Sequence, residues 1–331
     1  MDSVPDSAVC NEAVKLAVKK GFGTLRGFVN GVLRNVARGL DQVEYPAEGI
    51  ERLSVVYSMP EWILKLWKKT YDLDVIESML QAFQEETPVT IRCNLAKTTP
   101  ENLKESLQKE GVTVTPHPYL SYAFRIQDYD HLSELESFQK GAFYVQDISS
   151  MLVGELADPK KGDRVIDVCA APGGKALHVA EKLRGTGSVE ARDLSLYKVG
   201  LITENIERSG LTNIHAVQKD ATVCDADVKD AADLVIADLP CSGLGVLAKK
   251  TDLKYKATEQ GTKELAGLQR EILKNAASYV RPGGTLIYST CTINPAENIE
   301  NVHWFLKEFP EFVLDPIADR LCSTLQDSVE E

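Results

Sequence analysis

The sequence lacks the features that would direct it to a membrane or an oxidising compartment. No run approaches the ~20 apolar residues of a membrane span, and the amino terminus, MDSVPDSAVCNEAVK, has neither a basic start nor an apolar core. The 331 residues include seven cysteines, an odd number without paired spacing, which argues against a disulfide framework. We therefore predict a cytoplasmic protein with reduced thiols and no membrane partner.

Metal ligands and excess basic residues are also missing. The absence of CxxC and CxxH pairs argues against zinc, and we predict no metal. The formal net charge of −12 excludes a generally basic nucleic-acid binder. Two local runs are basic nevertheless, within residues 15–38 and in AKKTDLKYK, which contains Lys249, Lys250, Lys254 and Lys256. Each run is either a patch that contacts phosphates or an ordinary solvated face.

The order of apolar patterns divides the chain into three segments. Residues 1–42 predict two amphipathic helices, SAVCNEAVKLAVKK and GFVNGVLRNVARGL, which cannot close a core alone. Residues 43–145 mix helices with strands such as TPVTIRCNLA and YAFRIQD, which predicts a small α+β domain. Residues 146–331 alternate strands and helices and end in a strand at EFVLD, which predicts a doubly wound, mostly parallel sheet.

An open α/β sheet binds ligands beyond the carboxyl ends of its strands, and four features of the third segment lie at such ends. The turn DVCAAPGGK has Gly173 and Gly174, which allow a close backbone approach to a ligand. This turn lacks the GxGxxG and phosphate-loop spacings, which favours a nucleoside without pyrophosphate, most commonly S-adenosylmethionine. The alternative is an ordinary turn followed by helix-capping acids. The acids expected to bind ribose, adenine and the reacting base are Asp193, Asp220 and Asp238.

Two cysteines, Cys241 and Cys291, follow the fourth and fifth strands of this segment, so both thiols should face the cofactor. A thiol of pKa ~8.5 becomes a nucleophile when a base or a helix N-terminus lowers that pKa, and the helix near Pro295 offers such a dipole. Thiolate addition to carbon 6 of a cytosine makes carbon 5 reactive toward a methyl donor, with Asp238 on the base. For this reaction the cytosine must be flipped out of its stack with neighbouring bases. We expect structural roles for Cys93, Cys169 and Cys224.

These residues resemble, in order, the motifs of the RNA cytosine-5 methyltransferase family that includes the Sun/Fmu proteins. DVCAAPGGK resembles its cofactor turn, DLPCSGLG its fourth motif, and YSTCT with NPAENIENV its sixth, over about residues 140–315. The resemblance implies a Rossmann-like class I fold with S-adenosylmethionine as cofactor. It also implies that Cys291 is the nucleophile and that Cys241 assists product release. The implied cofactor contacts are Cys169, Ala170, Ala171, Pro172, Gly173, Gly174, Lys175, Asp193, Asp220 and Asp238.

The first segment resembles the last two helices of a NusB-like RNA-binding domain, as in the family's bacterial branch that acts on small-subunit ribosomal RNA. We therefore expect 16S rRNA, naked or in early assembly, as the partner of a monomer. The resemblance begins inside the NusB-like region and lacks a terminal glycine-rich and GFF strand segment, so we expect a fragment or a divergent copy. Two alternatives remain: transfer RNA as the substrate, or a catalytically impaired RNA-binding or assembly factor. A cysteine hydrolase is disfavoured because neither thiol has a histidine nearby in sequence.

Overall fold

The computed structural model describes residues 4–85, 87–327 and 329, and its contacts divide into two units after Glu77. The first unit is helical and confirms the two predicted amphipathic helices. Apart from Cys10 on the first helix, its buried side chains belong to the later part of the unit, where Ile63, Leu64 and Trp67 are fully enclosed. No helix in the described ranges is long and apolar enough to cross a bilayer. The helices are α1 (Asp6–Lys19), α2 (Arg26–Gly39), α3 (Gly49–Val56), α4 (Glu61–Trp67) and α5 (Leu73–Ala82), which passes the division.

The second unit begins with an antiparallel sheet of order β2-β3-β1-β4, which confirms the small α+β domain. Its first helix begins at Pro100, because the Thr99 hydroxyl accepts a hydrogen bond from the Asn102 amide and proline suits the first helical position. The elements are β1 (Val89–Cys93), α6 (Pro100–Lys109), β2 (Thr113–Pro116), β3 (Ala123–Gln127), α7 (Glu136–Gln139) and β4 (Phe143–Val145).

A five-stranded sheet of order β7-β6-β5-β8-β9 follows, and every pairing in it is parallel. Strand order reverses between β5 and β8, so their carboxyl ends flank a crevice. Separate apolar clusters cover the two faces, which confirms the doubly wound fold. The elements are α8 (Ile148–Ala157), β5 (Arg164–Asp167), α9 (Gly174–Lys182), β6 (Ser188–Asp193), α10 (Leu196–Ser209), β7 (Ile214–Gln218), β8 (Ala232–Asp238), α11 (Leu253–Lys256), α12 (Glu259–Tyr279), β9 (Val280–Ser289), α13 (Ile299–Glu308) and α14 (Ser323–Gln326).

The strand predicted at EFVLD, residues 311–315, is wrong. This segment has no strand pairing, and the side chains of Val313 and Leu314 are 83% and 67% exposed. Only Phe312 packs inward, with its ring 5.1 Å from that of Phe305. An apolar run becomes a strand only where a neighbouring strand pairs with it, and here β9 is the outermost strand of its side.

Side chains of β1 and the residue after it connect the two sheets. Arg92 is fully buried, with Nη1 2.9 Å from Glu181 Oε1 on α9 and Nε donating to Gln146 at 2.8 Å. Asn94 Nδ2 donates to two carbonyls, those of Gly141 and Ser209. A buried charge and a backbone carbonyl on helices that cover the parallel sheet are therefore satisfied by side chains of β1 and the residue after it. The domain boundary that the sequence predicts at residues 145/146 stays a prediction.

Candidate active site

The turn after β5 is shaped by its glycines. Gly173 immediately precedes α9 with φ +106°, a conformation that a side chain would strain. The Ala171 amide donates to Asp193 Oδ2 at 3.1 Å, which holds the turn against the end of β6, and the Ala171–Pro172 peptide is cis. The predicted cofactor turn is therefore a fixed backbone cradle at the crevice.

The two acids predicted to hold a nucleoside lie on the same sheet edge. Asp193 ends β6 almost fully buried, and its Oδ1 accepts from the Leu194 amide at 2.8 Å and lies 3.2 Å from Lys198 Nζ. Asp220 lies just beyond β7 and is exposed. Its pKa is lowered by hydrogen bonds from the hydroxyl and amide of Thr222.

Two apolar residues beside these acids escaped the sequence reasoning. Leu194 follows Asp193 directly and is 61% exposed, and Val223 lies three residues after Asp220 and is 64% exposed. Large exposed apolar side chains at a ligand-binding edge suit a flat ring system. Their positions shortly after strand ends could have indicated these two residues. The exposure of their side chains, however, cannot be predicted from sequence position.

Asp167, at the end of β5, is a third residue that the sequence analysis does not predict. It is fully buried; its Oδ1 accepts from the Cys169 amide at 3.3 Å, while its Oδ2 has no hydrogen-bond partner. Burial, reinforced by the charge of Asp238, raises the pKa of Asp167 to about 7. The carboxyl group therefore changes charge near neutral pH beneath the cofactor turn.

Asp238, at the end of β8, is held from both sides. Lys175 Nζ lies 2.6 Å from its Oδ2, and the hydroxyl of Ser289, at the end of β9, donates to its Oδ1 at 2.7 Å. The Lys175 side chain is only 17% exposed, so it is not an ordinary surface lysine of α9. These contacts fix the orientation of a carboxylate that faces the crevice between β8 and β5.

The two predicted thiols meet. The sulfurs of Cys241 and Cys291 are 3.2 Å apart, and the Cys291 amide also donates to the Cys241 sulfur at 3.2 Å. The S–H of Cys241 stabilises the Cys291 thiolate, and the cations of Lys250 and Lys175 add to this, so the pKa of Cys291 falls to about 7 although burial opposes the shift. The same contact raises the pKa of Cys241. The two sulfurs are therefore close enough for one thiol to donate a hydrogen bond to the other as a thiolate.

The expected helix dipole is not the cause of this lowered pKa. The helix predicted to begin near Pro295 begins at Ile299, after a 3-10 turn at Pro295–Glu297. The hydrogen bond from the neighbouring thiol has the largest effect. The sequence predicts the two sulfurs but does not name the neighbouring thiol as the group that lowers the pKa of Cys291.

The remaining predicted structural cysteines differ among themselves. Burial raises the pKa values of Cys93 and Cys169 to about 12, which suits an inert role. Cys224 is exposed, so a buried structural role for it is wrong. It follows β7 on a loop, where a small apolar residue does not imply burial.

Two of the four lysines in AKKTDLKYK already have a carboxylate partner, and Lys256 pairs with Asp252 within the same run. Lys249 Nζ forms a short ion pair with Asp147, which precedes α8, whereas Lys250 is exposed. A groove of about 1020 Å³ opens beside this pair. It is lined by residues 83–85, 87–90, 126–129 and 145–147, together with Ala248, Lys249 and Thr251. A phosphate at Lys249 has to compete with the Asp147 carboxylate.

Family comparisons match three stretches of the chain. Residues 155–329 match the model described as 16S rRNA methyltransferase RsmB/F. Residues 59–130 match the ferredoxin-like domain of RsmF/B-like methyltransferases, and residues 1–38 match the NusB family.

Individual relatives match over most of the chain. The probable ribosomal RNA small subunit methyltransferase B of Bacillus subtilis (strain 168) is 37% identical, over 95% of this chain and 71% of that protein. The corresponding protein of Serratia proteamaculans is 31% identical, over 92% and 70%. Among solved structures, PH0851 has a TM-score of 0.85 with 28% identity, over 95% of this chain and 70% of that one. NSun6 from Pyrococcus horikoshii with SFG has a TM-score of 0.68 with 26% identity, over 74% and 86%.

Proposed function

Because this chain belongs to the family of 16S rRNA methyltransferases RsmB/F, we propose that it forms 5-methylcytosine in 16S rRNA through a covalent adduct of Cys291. At the coarser level it is an S-adenosylmethionine-dependent RNA methyltransferase. The observation that carries the proposal is the thiol pair, with sulfurs 3.2 Å apart and the pKa of Cys291 lowered to about 7. No other arrangement in the described residues offers a comparably activated nucleophile at a strand end.

The residues at the crevice fit the cofactor, which supplies an electrophilic methyl group when bound. The unpaired Oδ2 of Asp167 suits a positively charged ligand group, since a buried carboxyl oxygen without a donor is costly. Asp193 and Asp220 suit ribose hydroxyls and the adenine amino group, and Leu194 and Val223 suit the faces of the ring. The turn residues proposed to contact it are Cys169, Ala170, Ala171, Pro172, Gly173, Gly174 and Lys175.

Cys291 is proposed to attack carbon 6 of the cytosine. Because its pKa is lowered, a larger share of its thiol is ionised at neutral pH than the few per cent of a free cysteine. Formation of the bond from Sγ to carbon 6 places negative charge on the ring. In this proposal the Asp238 carboxylate accepts from the amino group of the base, and Lys175, 2.6 Å from Asp238, offsets the charge that builds on the ring.

Cys241 is proposed to assist the reverse step. After carbon 5 has taken the methyl group, a base removes the proton from carbon 5, and the electron pair of that C–H bond re-forms the double bond to carbon 6. The bond from carbon 6 to the Cys291 sulfur then breaks and the sulfur leaves as a thiolate. The Cys241 S–H lies 3.2 Å from that sulfur and can donate a hydrogen bond to it, which stabilises the leaving group. The contact that activates the nucleophile therefore also favours its release.

The chemistry is tested by supplying the protein with labelled methyl donor and unmodified small-subunit RNA, then locating any methylated cytosine. Cys291→Ala is expected to abolish transfer, whereas Cys241→Ala is expected to accumulate a protein–RNA adduct that survives denaturing electrophoresis. Cys224→Ala is the matched control, since it removes an exposed thiol outside the pair. Wild-type activity in both Cys291→Ala and Cys241→Ala would rule out the mechanism. If transfer RNA is methylated and small-subunit RNA is not, transfer RNA replaces 16S rRNA as the proposed substrate.

A further inference from the structure

Glu297 is a fully buried acid between the loops that carry the two thiols. Its Oε2 accepts from the Ser242 amide at 2.8 Å and from Gln269 Nε2 at 3.2 Å. Its Oε1 accepts from the Ser242 hydroxyl at 2.6 Å and from Asn294 Nδ2 at 2.9 Å. Four donors converge on two oxygens, an arrangement suited to a group that only accepts hydrogen bonds.

The hydrogen bonds run through the neighbours of both cysteines. Ser242 follows Cys241, Thr292 follows Cys291, and the two hydroxyl oxygens are 2.8 Å apart. Each hydroxyl has one proton. Because the Ser242 proton points to the Glu297 carboxylate, Thr292 must donate to Ser242, while Thr292 itself accepts from the Asn294 amide at 3.2 Å. The chain of bonds therefore has one direction, and Glu297 sets it.

The same acid rests on the helical layer beneath the sheet. Gln269 on α12 donates both to Glu297 and to the carbonyl of Pro240, the residue before Cys241. The Gln269 Oε1 in turn accepts from Tyr288 at 3.0 Å and from Asn301 at 2.8 Å. Movement of Glu297 would therefore disturb the Cys241 loop from two directions.

We propose that Glu297 is a positioning residue that clamps the loops after β8 and β9 and thereby sets the distance between the Cys241 and Cys291 sulfurs. Within the described residues no hydrogen bond joins Glu297 to either sulfur, so it acts through Ser242 and Thr292. The kinetic meaning of the clamp rests on the proposed function, but its effect on the sulfurs does not. A shorter or differently charged group at this position lets the loops separate and weakens the contact that ionises Cys291.

The pH dependence of Cys291 alkylation measures this effect directly. The protein without RNA is treated with iodoacetamide from pH 5.5 to 10, and modification of the Cys291 peptide is followed by mass spectrometry. The wild-type midpoint is expected near 7. Glu297→Gln keeps the size of the side chain but turns an NH₂ group toward existing donors, and the midpoint is expected to rise by one pH unit or more, toward the value in Cys241→Ala.

Glu300→Gln is the matched control, because Glu300 is an exposed acid three residues further along. Its midpoint is expected to equal that of wild type. Thr292→Val, which keeps the shape but removes the hydroxyl, is expected to shift the midpoint in the same direction, and it decides the question if Glu297→Gln does not fold. A purely structural role predicts loss of melting temperature with no change in the midpoint of the folded protein.

An unchanged midpoint in a folded Glu297→Gln protein overturns the proposal, as does an unchanged midpoint in Thr292→Val when only that variant folds. The readout is separate from methyl transfer. If wild type methylates no RNA, the proposed function fails, yet the alkylation midpoints still decide the role of Glu297. If wild type is active, Glu297→Gln is also expected to lower kcat while leaving the dissociation constant for S-adenosylmethionine unchanged.

Discussion

Replacing Asp167 by Asn is expected to stabilise the protein without cofactor at alkaline pH. The buried carboxyl has its pKa raised to about 7 from an ordinary 3.8. A difference of about 3 pH units at ~1.36 kcal/mol each corresponds to about 4 kcal/mol. Because the native pKa is raised, the favourable contribution of the neutral acid is complete below pH 3.8 and is lost as pH rises through 7. The Asn side chain does not ionise, so the variant does not lose this contribution to stability as the pH rises.

Urea unfolding of wild type and Asp167→Asn between pH 4.5 and 8.5 measures the sign and the size of the difference in their free energies of unfolding. The gain of Asp167→Asn over wild type is expected to be small near pH 4.5 and to grow to a limit of about 4 kcal/mol above pH 7. The Asn amide replaces an oxygen that already lacks a partner, so it leaves the count of unsatisfied groups unchanged. Asp220→Asn, at an exposed acid with a lowered pKa, should show no such gain.

The reasoning fails if Asp167→Asn is no more stable than wild type at pH 8. The same variant should also bind S-adenosylmethionine more weakly than wild type, because Asp167 is proposed to pair with a positive group of the cofactor. The loss should be larger at pH 8 than at pH 6, since wild-type Asp167 is ionised only above about pH 7. Isothermal titration at both pH values measures it.

The other predictions concern RNA binding and the surroundings of the thiols. Replacing Lys249 and Lys250 with Ala should reduce the slope of log K against log salt for RNA by about 1 to 2, and an unchanged slope would exclude phosphate contacts there. In Gly245→Ala the new Cβ lies 3.0 Å from the Cys291 carbonyl oxygen, so kcat should fall roughly tenfold at unchanged cofactor affinity; unaltered kcat contradicts this. Lys175→Met removes a cation that lowers the pKa of Cys291, so single-turnover methyl transfer should slow roughly 10²-fold and the alkylation midpoint should rise.

The sequence could predict which candidate residues come together because they lie at or shortly after strand ends. Gly173, Asp193, Cys241 and Cys291 each lie at or within a few residues of the end of an apolar strand, and parallel strands bring their carboxyl ends to one edge. The alternation of strands and helices was sufficient for the doubly wound sheet. Chemistry alone did not distinguish the two thiols; the sulfurs are 3.2 Å apart with either able to donate, and the assignment of Cys291 as nucleophile stays a proposal that its lowered pKa supports.

What escaped prediction depends on burial and on partners distant in sequence. Asp167 looks like any acid near a strand end, and its raised pKa comes from enclosure that no local pattern reveals. Glu297 in NPAENIENV looks like a helix-capping acid, yet it bonds to Ser242, 55 residues away. The EFVLD run has strand composition but lacks a neighbour. These outcomes are decided by tertiary context rather than by composition.

The buried guanidinium of Arg92 limits how the protein can be dissected. A fragment cut at residue 146 to isolate the parallel sheet would leave Glu181 without its cation and uncover the side of α9 that Arg92 protects. Removing one member of a buried ion pair costs about 3–5 kcal/mol, a large share of the stability of an ordinary domain. Expression trials of a minimal fragment should therefore start upstream of β1, near residue 78, and a fragment that starts at residue 146 is expected to aggregate.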